Sequence, residues 1–207
     1  MGNFHSVARA LHSAAPDADI KICHTAAEID HASRVIFPGQ GAMPDCIANL
    51  DRSGLRDAVM RAARSKPLLG VCIGEQMLFS RSEEGNTPCL DIFPGEVRRF
   101  SGPEFASADR SSDDSELLKV PHMGWSRVRH VRPHALWAGI PDNSHFYFVH
   151  SYYVKPENET LAVGETHYGV SFTCAVAAAN IFAVQFHPEK SADDGLRLYR
   201  NFVSWNP

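Results

Sequence analysis

Apolar and polar positions alternate in two distinct periods along this chain. Phe4, Val7, Ala8 and Leu11 recur at helical spacing, so the chain opens on an amphipathic helix. Ile20 and Ile22 flank Lys21 as a short strand, and Val35-Ile36-Phe37 forms another that ends in Pro38-Gly39-Gln40-Gly41. The stretch from Ile47 to Ala63 reads as helix, with Leu50, Leu55, Val59 and Met60 on one stripe interrupted at Ser53-Gly54. Leu68 to Val71 has no polar side chain, the signature of a strand buried on both faces. From Glu75 onward the residues favour helix, with no breaker before Ser80. Strands alternating with helices in this way predict an α/β fold: a mostly parallel, open sheet with helices on both faces.

The second half is richer in strand signals. Ile92 to Phe100 and Leu118 to Val131 read as strands, and the separator Ser101 to Glu116 is polar enough to predict a mobile surface loop. His134 to Gly139 suggests a helical turn. Phe146 to Tyr153 is a dense β-forming run, Thr160 to Val163 another, and Val176 to Phe186 carries the last strand. Leu196, Tyr199, Phe202 and Val203 then set a closing helix. Neither an internal repeat nor a linker interrupts the 207 residues, which predicts one domain spanning 1–207.

Composition narrows the function classes. With 44% hydrophobic and 21% charged residues and a formal charge of -4, nothing points to nucleic acid or an anionic membrane as partner. The five cysteines (Cys23, Cys46, Cys72, Cys89, Cys174) form no C-x-x-C pair, and no histidine pair has zincin spacing. Neither a disulfide framework nor a metal site is expected, and reduced thiols predict a cytoplasmic protein. No signal peptide is recognised and no apolar run reaches membrane length.

The candidate chemistry begins at Gly70-Val71-Cys72-Ile73-Gly74, a cysteine version of the G-x-S-x-G nucleophile elbow at a strand-to-helix switch. A helix start beside the sulfur would favour thiolate. A base is available in His187-Pro188-Glu189, where residues two apart in an extended segment project from one face. Glu189 would hold the His187 imidazole and stabilise its charged form. The Ile73 N–H and the Gly39-Gln40-Gly41 segment could together make an oxyanion hole. Taken singly, each feature has a plainer reading: a cysteine in an apolar run is ordinary core, and both His-Pro-Glu and Pro-Gly-x-Gly are ordinary turns. Taken together, all lying at strand ends, they favour a Cys72–His187–Glu189 triad.

These residues also carry a resemblance. Pro38-Gly39-x-Gly41, Gly70 to Gly74 with Gln76, and Gln185-Phe186-His187-Pro188-Glu189-Lys190-Ser191 resemble the triad-type, or class I, glutamine amidotransferases. Val120-Pro121-His122-Met123-Gly124-Trp125, Phe146 to Tyr152 and Gly2-Asn3-Phe4-x-Ser6-Val7 resemble its branch in histidine biosynthesis, the glutaminase subunits of imidazole glycerol phosphate synthase. The resemblance implies a flavodoxin-like α/β fold in which Cys72 splits the amide of glutamine. It further implies that Gln76, Glu84, Ser151, Tyr152 and Ser191 hold glutamine. Ammonia would pass to a separate TIM-barrel cyclase subunit, with Asn3, His122, Trp125 and Lys190 near that partner, and no cofactor is involved. Other triad amidotransferases, or a binding module with a relict pocket, are the competing readings.

The chain departs from the family pattern at three places. The family places a strand ahead of its Gly-Asn element, and here Gly2-Asn3 follows Met1, so the first strand is expected to be missing or to start upstream. Gln40 stands where valine is usual, which would shift how tightly the glutaminase is held off. Glu75 replaces a usual methionine. A carboxylate suits a helix start, but beside a thiolate it would oppose the nucleophile unless it faces solvent.

Overall fold

A computed structural model of the chain describes residues 2–105 and 117–207, with the side chains of the first helix from Phe4 onward. Helices α1 (Gly2–Ala14) and α2 (Ala26–His31) lead to strand β1 (Val35–Gly39). Next come α3 (Met43–Arg52), α4 (Arg56–Ser65), β2 (Leu68–Cys72) and the single turn α5 (Ile73–Gln76). Strands β3 (Phe79–Ser82), β4 (Thr87–Pro88), β5 (Phe93–Arg99), β6 (His122–His130) and β7 (Ser144–His150) follow. The chain continues through β8 (Tyr152–Pro156), β9 (Ala162–Tyr168), β10 (Val170–Ala178) and β11 (Ile181–Val184) to α6 (Ala192–Ser204).

Among the described residues eleven strands form one mixed sheet whose main path runs β1-β2-β11-β10-β8-β5-β3-β4, with β9 paired to β10 and β6, and β7 paired to β6. The α/β class is as the periodicities predict. Parallel pairing, expected to dominate, is confined to β1–β2–β11 and β3–β5. The remaining pairs are antiparallel, because strands such as β10 and β11 or β6 and β7 are neighbours joined without a crossover helix. The buried residues form one cluster running from Val7 to Trp205. The central strand β2 has all five residues buried, which is why it reads as an unbroken apolar run.

Several local expectations are corrected by neighbours that a one-dimensional pattern does not show. Ile20–Ile22 forms no strand. Among the described residues no strand precedes Val35, and β1 is the end of the sheet path, so this segment has no ladder to join. The stripe over Ile47 to Ala63 is two helices, parted where Gly54 takes φ +67. Val176 to Phe186 is two strands joined at Ala179-Asn180, with Asn180 Nδ2 donating to the Ala63 carbonyl at 2.9 Å. The dense run from Phe146 likewise splits at Ser151 into β7 and β8. Of the polar separator, residues 106–116 lie outside the described residues; its Phe105 is buried and bridges to Leu118.

Cationic side chains close two helix ends. Lys66 Nζ donates to the carbonyls of Ile29 (2.9 Å) and Ala32 (2.7 Å) at the end of α2. Arg34 reaches the Phe202 carbonyl of α6 at 2.7 Å. These add to the capping N–H bonds that the Ile29 and Phe202 carbonyls accept from Ala32 and Trp205.

Candidate active site

The switch from β2 to α5 places Cys72 at φ 57, ψ −112, a strained conformation for a residue with a side chain and the mark of a nucleophile elbow. The two motif glycines make it possible. A Cβ on Gly74 would stand 1.7 Å from the Phe37 carbonyl oxygen, and one on Gly70 would stand 2.9 Å from the Ala183 Cβ. Only backbone fits in either place, so the turn can lie directly on the ends of β1 and β11. The expected helix is cut to one turn because Phe79 enters β3. A helix this short has little macrodipole, so stabilisation of the sulfur must come from individual groups.

Parallel register sets Gly39 opposite Cys72, which brings the Gly39-Gln40-Gly41 loop to the same sheet end. His187 arrives three residues after β11, which is the other parallel neighbour of β2. Its Nδ1 lies 2.8 Å from Glu189 Oε1, and Tyr199 Oη donates to Glu189 Oε2 at 3.1 Å. The backbone of His187 is pinned as well. Its N–H donates to the Tyr147 carbonyl at 2.9 Å, and its carbonyl accepts from Ser191 Oγ at 2.6 Å.

The electrostatics follow this geometry. Burial works against a charged His187, but its interactions with Cys72 and Glu189 outweigh it and push the imidazole up to about 9. Nε2 makes no hydrogen bond of ordinary geometry, so what Cys72 contributes is electrostatic attraction between sulfur and ring. Burial alone would raise Glu189; the hydrogen bond from His187 reverses this and holds the carboxyl below its usual range. The imidazole is therefore a protonated acid held by an ionised partner.

A cleft of about 360 Å³ opens over Cys72 and His187, lined also by Gln40, Gly41, Ile73, Gln76, Glu84, Ser151, Tyr152 and Lys190. Gln76 Nε2 donates to the Tyr152 carbonyl at 2.9 Å, leaving a buried Oε1 with no partner. Glu84 Oε2 accepts from the Met43 N–H at 2.8 Å. Two expected positions fall differently. Ser191 is fully buried and its hydroxyl is committed on both sides, donating to His187 and accepting from the Tyr147 N–H at 3.0 Å. It serves the base rather than the cleft, because its place at the start of α6 lies behind His187. Gly39 likewise sits beneath the loop, where a Cβ would meet the Ile73 Cβ at 2.8 Å.

The partner-facing expectations also divide. Trp125 is 52% exposed beside Met123 at 62%. Trp125 meets Tyr147 edge-on at 6.0 Å, and Lys190 Nζ lies 5.5 Å over the same ring, so these side chains form one surface at the cleft mouth. His122 is only 2% exposed, which corrects its expected place at the surface. Alternation along β6 turns it inward between Phe148 and Tyr168. The side chain of Asn3 lies outside the described residues.

Sequence reasoning missed Tyr147, His150 and Gln185, although all three stand inside the apolar and His-Pro-Glu stretches already singled out. His150 Nδ1 must donate to the Tyr152 carbonyl (2.7 Å), so its Nε2 accepts from His122 Nδ1 (3.0 Å) and His122 Nε2 accepts from Ser126 Oγ (2.9 Å). Burial keeps both rings neutral, lowering His122 to about 4 and His150 to about 3. Glu75, expected to suit a helix start, is instead wholly buried with neither oxygen hydrogen-bonded. Burial first, then Cys72, raise its pKa well above the carboxylate range, which makes it a neutral acid.

The family described as glutamine amidotransferase class-I matches residues 2–205. The imidazole glycerol phosphate synthase subunit HisH of Aromatoleum aromaticum is 56% identical over all of this chain and 95% of its own length. The HisH subunit of Dechloromonas aromatica is 55% identical over all of this chain and 94% of its own. Among solved structures, a glutamine amidotransferase superimposes with a TM-score of 0.67 at 18% identity, covering 98% of this chain and 93% of that one. The glutaminase domain of Trypanosoma brucei CTPS superimposes with a TM-score of 0.63 at 16% identity, covering 97% and 86%.

Proposed function

The chain belongs to the class-I glutamine amidotransferases, and from that premise we propose that it is the glutamine-hydrolysing subunit of an imidazole glycerol phosphate synthase in histidine biosynthesis. The observation that carries the chemistry is the convergence of Cys72, the His187–Glu189 pair and the Gly39–Gly41 loop at one end of the three parallel strands. The observation that carries the assignment is identity of 54–56% to HisH subunits over the whole chain.

In this reading Cys72 Sγ attacks the side-chain carbonyl carbon of glutamine while protonated His187 stands ready beside it. The tetrahedral oxyanion is held by the Ile73 N–H and by an N–H of the Gln40-Gly41 loop. His187 gives its proton to the departing nitrogen, which leaves as ammonia, and a thioester remains on Cys72. Water then attacks the thioester, its proton passing back to His187, and glutamate is released with the sulfur restored as thiolate. Glu189 keeps the imidazole oriented and balances its charge throughout. Gln76, Glu84, Ser151 and Tyr152 line the cleft and hold glutamine.

Ammonia is delivered to a partner cyclase, taken here as a TIM-barrel subunit, because water would protonate it before it could act as a nucleophile. The exposed Met123 and Trp125, continuous with Tyr147 and Lys190 at the cleft mouth, supply an apolar and cationic surface for that partner. Among the described residues no helix is long and apolar enough to cross a membrane, and free thiols support a cytoplasmic setting.

Glutamate release, measured with and without the cyclase and its nucleotide substrate, tests the reading. Cys72→Ala should abolish glutamine-dependent turnover of the complex and leave turnover with added ammonium intact. No glutamate release from the complete, nucleotide-loaded complex would mean a relict pocket. Glutamine-dependent turnover that survives in Cys72→Ala would remove Cys72 from the role given to it.

A further inference from the structure

Gln185 has no part in the steps above, yet it ends a buried chain of amides on the nucleophile. The chain starts at the Tyr152 carbonyl, which can only accept a hydrogen bond. It takes one from Gln76 Nε2 at 2.9 Å, so the NH2 end of Gln76 is fixed. The same nitrogen donates to Gln185 Oε1 at 2.8 Å, which fixes the second amide in turn. Gln185 Nε2 is thereby left facing Cys72 Sγ, 3.7 Å away. Turning the Gln185 amide over would set two NH2 groups against each other and an amide oxygen against the sulfur. The backbone allows no escape, because the Gln185 N–H is held by the Cys174 carbonyl at 2.9 Å. Gln185 is 0% and Gln76 1% exposed, so water cannot replace either bond.

A donor aimed at sulfur distinguishes the two forms of the thiol. Hydrogen bonds to ionised groups are roughly twice as strong as neutral ones, and the difference counts fully where no water competes. The one-turn α5 supplies little dipole of its own, and Glu75 on the same turn offers no positive charge. We propose that Gln185 is a further catalytic residue, the N–H donor that favours thiolate at Cys72, and that Gln76 is the positioning residue that turns its amide. The inference rests on the glutaminase reading for its consequence, but its geometry does not.

The test is alkylation of the full chain by iodoacetamide, with labelling of the Cys72 peptide followed by mass spectrometry across a pH series. Gln185→Met should slow Cys72 labelling at neutral pH roughly tenfold and move its pH profile upward. Gln185→Glu, which keeps the oxygen facing Gln76 but presents an acceptor to the sulfur, should slow it further. Gln76→Met should reproduce the Gln185→Met profile, and the double variant should be no slower than either. A folded Gln185→Met or Gln185→Glu with the parent's labelling rate and profile overturns the proposal. Should neither variant fold, Gln76→Met decides: the parent's labelling rate and profile in that folded variant overturn the proposal too. Glutamine turnover of the parent with the cyclase is measured in parallel. No turnover together with Gln185-dependent labelling sinks the glutaminase reading and supports the amide–sulfur contact. Turnover with Gln185-independent labelling sinks this inference alone.

Discussion

Replacing Glu75 by glutamine should make the protein's stability less dependent on pH. Glu75 is completely buried, and neither of its oxygens has a hydrogen-bond partner. Burial, and then the Cys72 sulfur, raise its pKa well above the carboxylate range. Cys174, also buried, feels the same carboxyl. An unfolded glutamate ionises near pH 4.3. Above that point the unfolded chain gives up a proton that the native chain retains, so the native state binds more protons and stability falls as pH rises. The slope from this one group is about 1.4 kcal/mol per pH unit for as long as native Glu75 stays protonated. Each pH unit within that window is therefore a sizeable part of a typical stability of about 5–15 kcal/mol. Urea denaturation of parent and Glu75→Gln across a series from about pH 5 to about pH 7 isolates the term, since other titrating groups are common to both. The Glu75→Gln advantage should grow with pH. Glu75→Met should gain a further increment of about 1–3 kcal/mol, because it also removes unsatisfied polar atoms. Parallel curves for parent and Glu75→Gln would refute the neutral acid and the reasoning behind it.

Three other substitutions have equally direct outcomes. With His187 pushed up to about 9, glutamate release by the cyclase complex should fall as pH rises through that value. Glu189→Gln should move the fall to lower pH and reduce kcat by roughly 10²- to 10⁴-fold, because the charge that holds the imidazolium is gone; an unmoved alkaline limb would exclude Glu189 as the cause. Gly74→Ala should unfold the elbow or destabilise the chain by about 3 kcal/mol or more, since its Cβ would lie 1.7 Å from a main-chain oxygen. Gly41→Ala meets nothing within 4 Å and, at φ +98, should cost only about 1–2 kcal/mol of backbone strain; equal melting temperatures for the two variants would contradict this difference.

Much of the site could be read from the chain because its constraints are local. Gly70 and Gly74 flank Cys72 where two backbones must touch, and Glu189 reaches the His187 ring from two residues away. Such spacing survives any tertiary arrangement. The roles of His122 and Ser191 were not legible in this way. His122 turns inward because its ring stacks between Phe148 and Tyr168, which lie on other strands and leave no trace in the pattern around residue 122. Ser191 looks like a cleft residue from its neighbours, but its hydroxyl is taken up by Tyr147, 44 positions distant.

The sequence alone determined that a buried apolar strand ends in a glycine-flanked cysteine, that a histidine and a glutamate follow another strand end, and that helices and strands alternate around them. These are properties of neighbouring residues, set by sterics and by side-chain period. It took the folded arrangement to settle that Ile20–Ile22 would not be a strand, that parallel pairing would be limited to β1–β2–β11 and β3–β5, and that Glu75 would be buried without a partner. That arrangement also decided that Gln185 would face the sulfur. Pairing, burial and the direction of an amide depend on what lies across the sheet, and residues far apart in the chain carry no local record of one another.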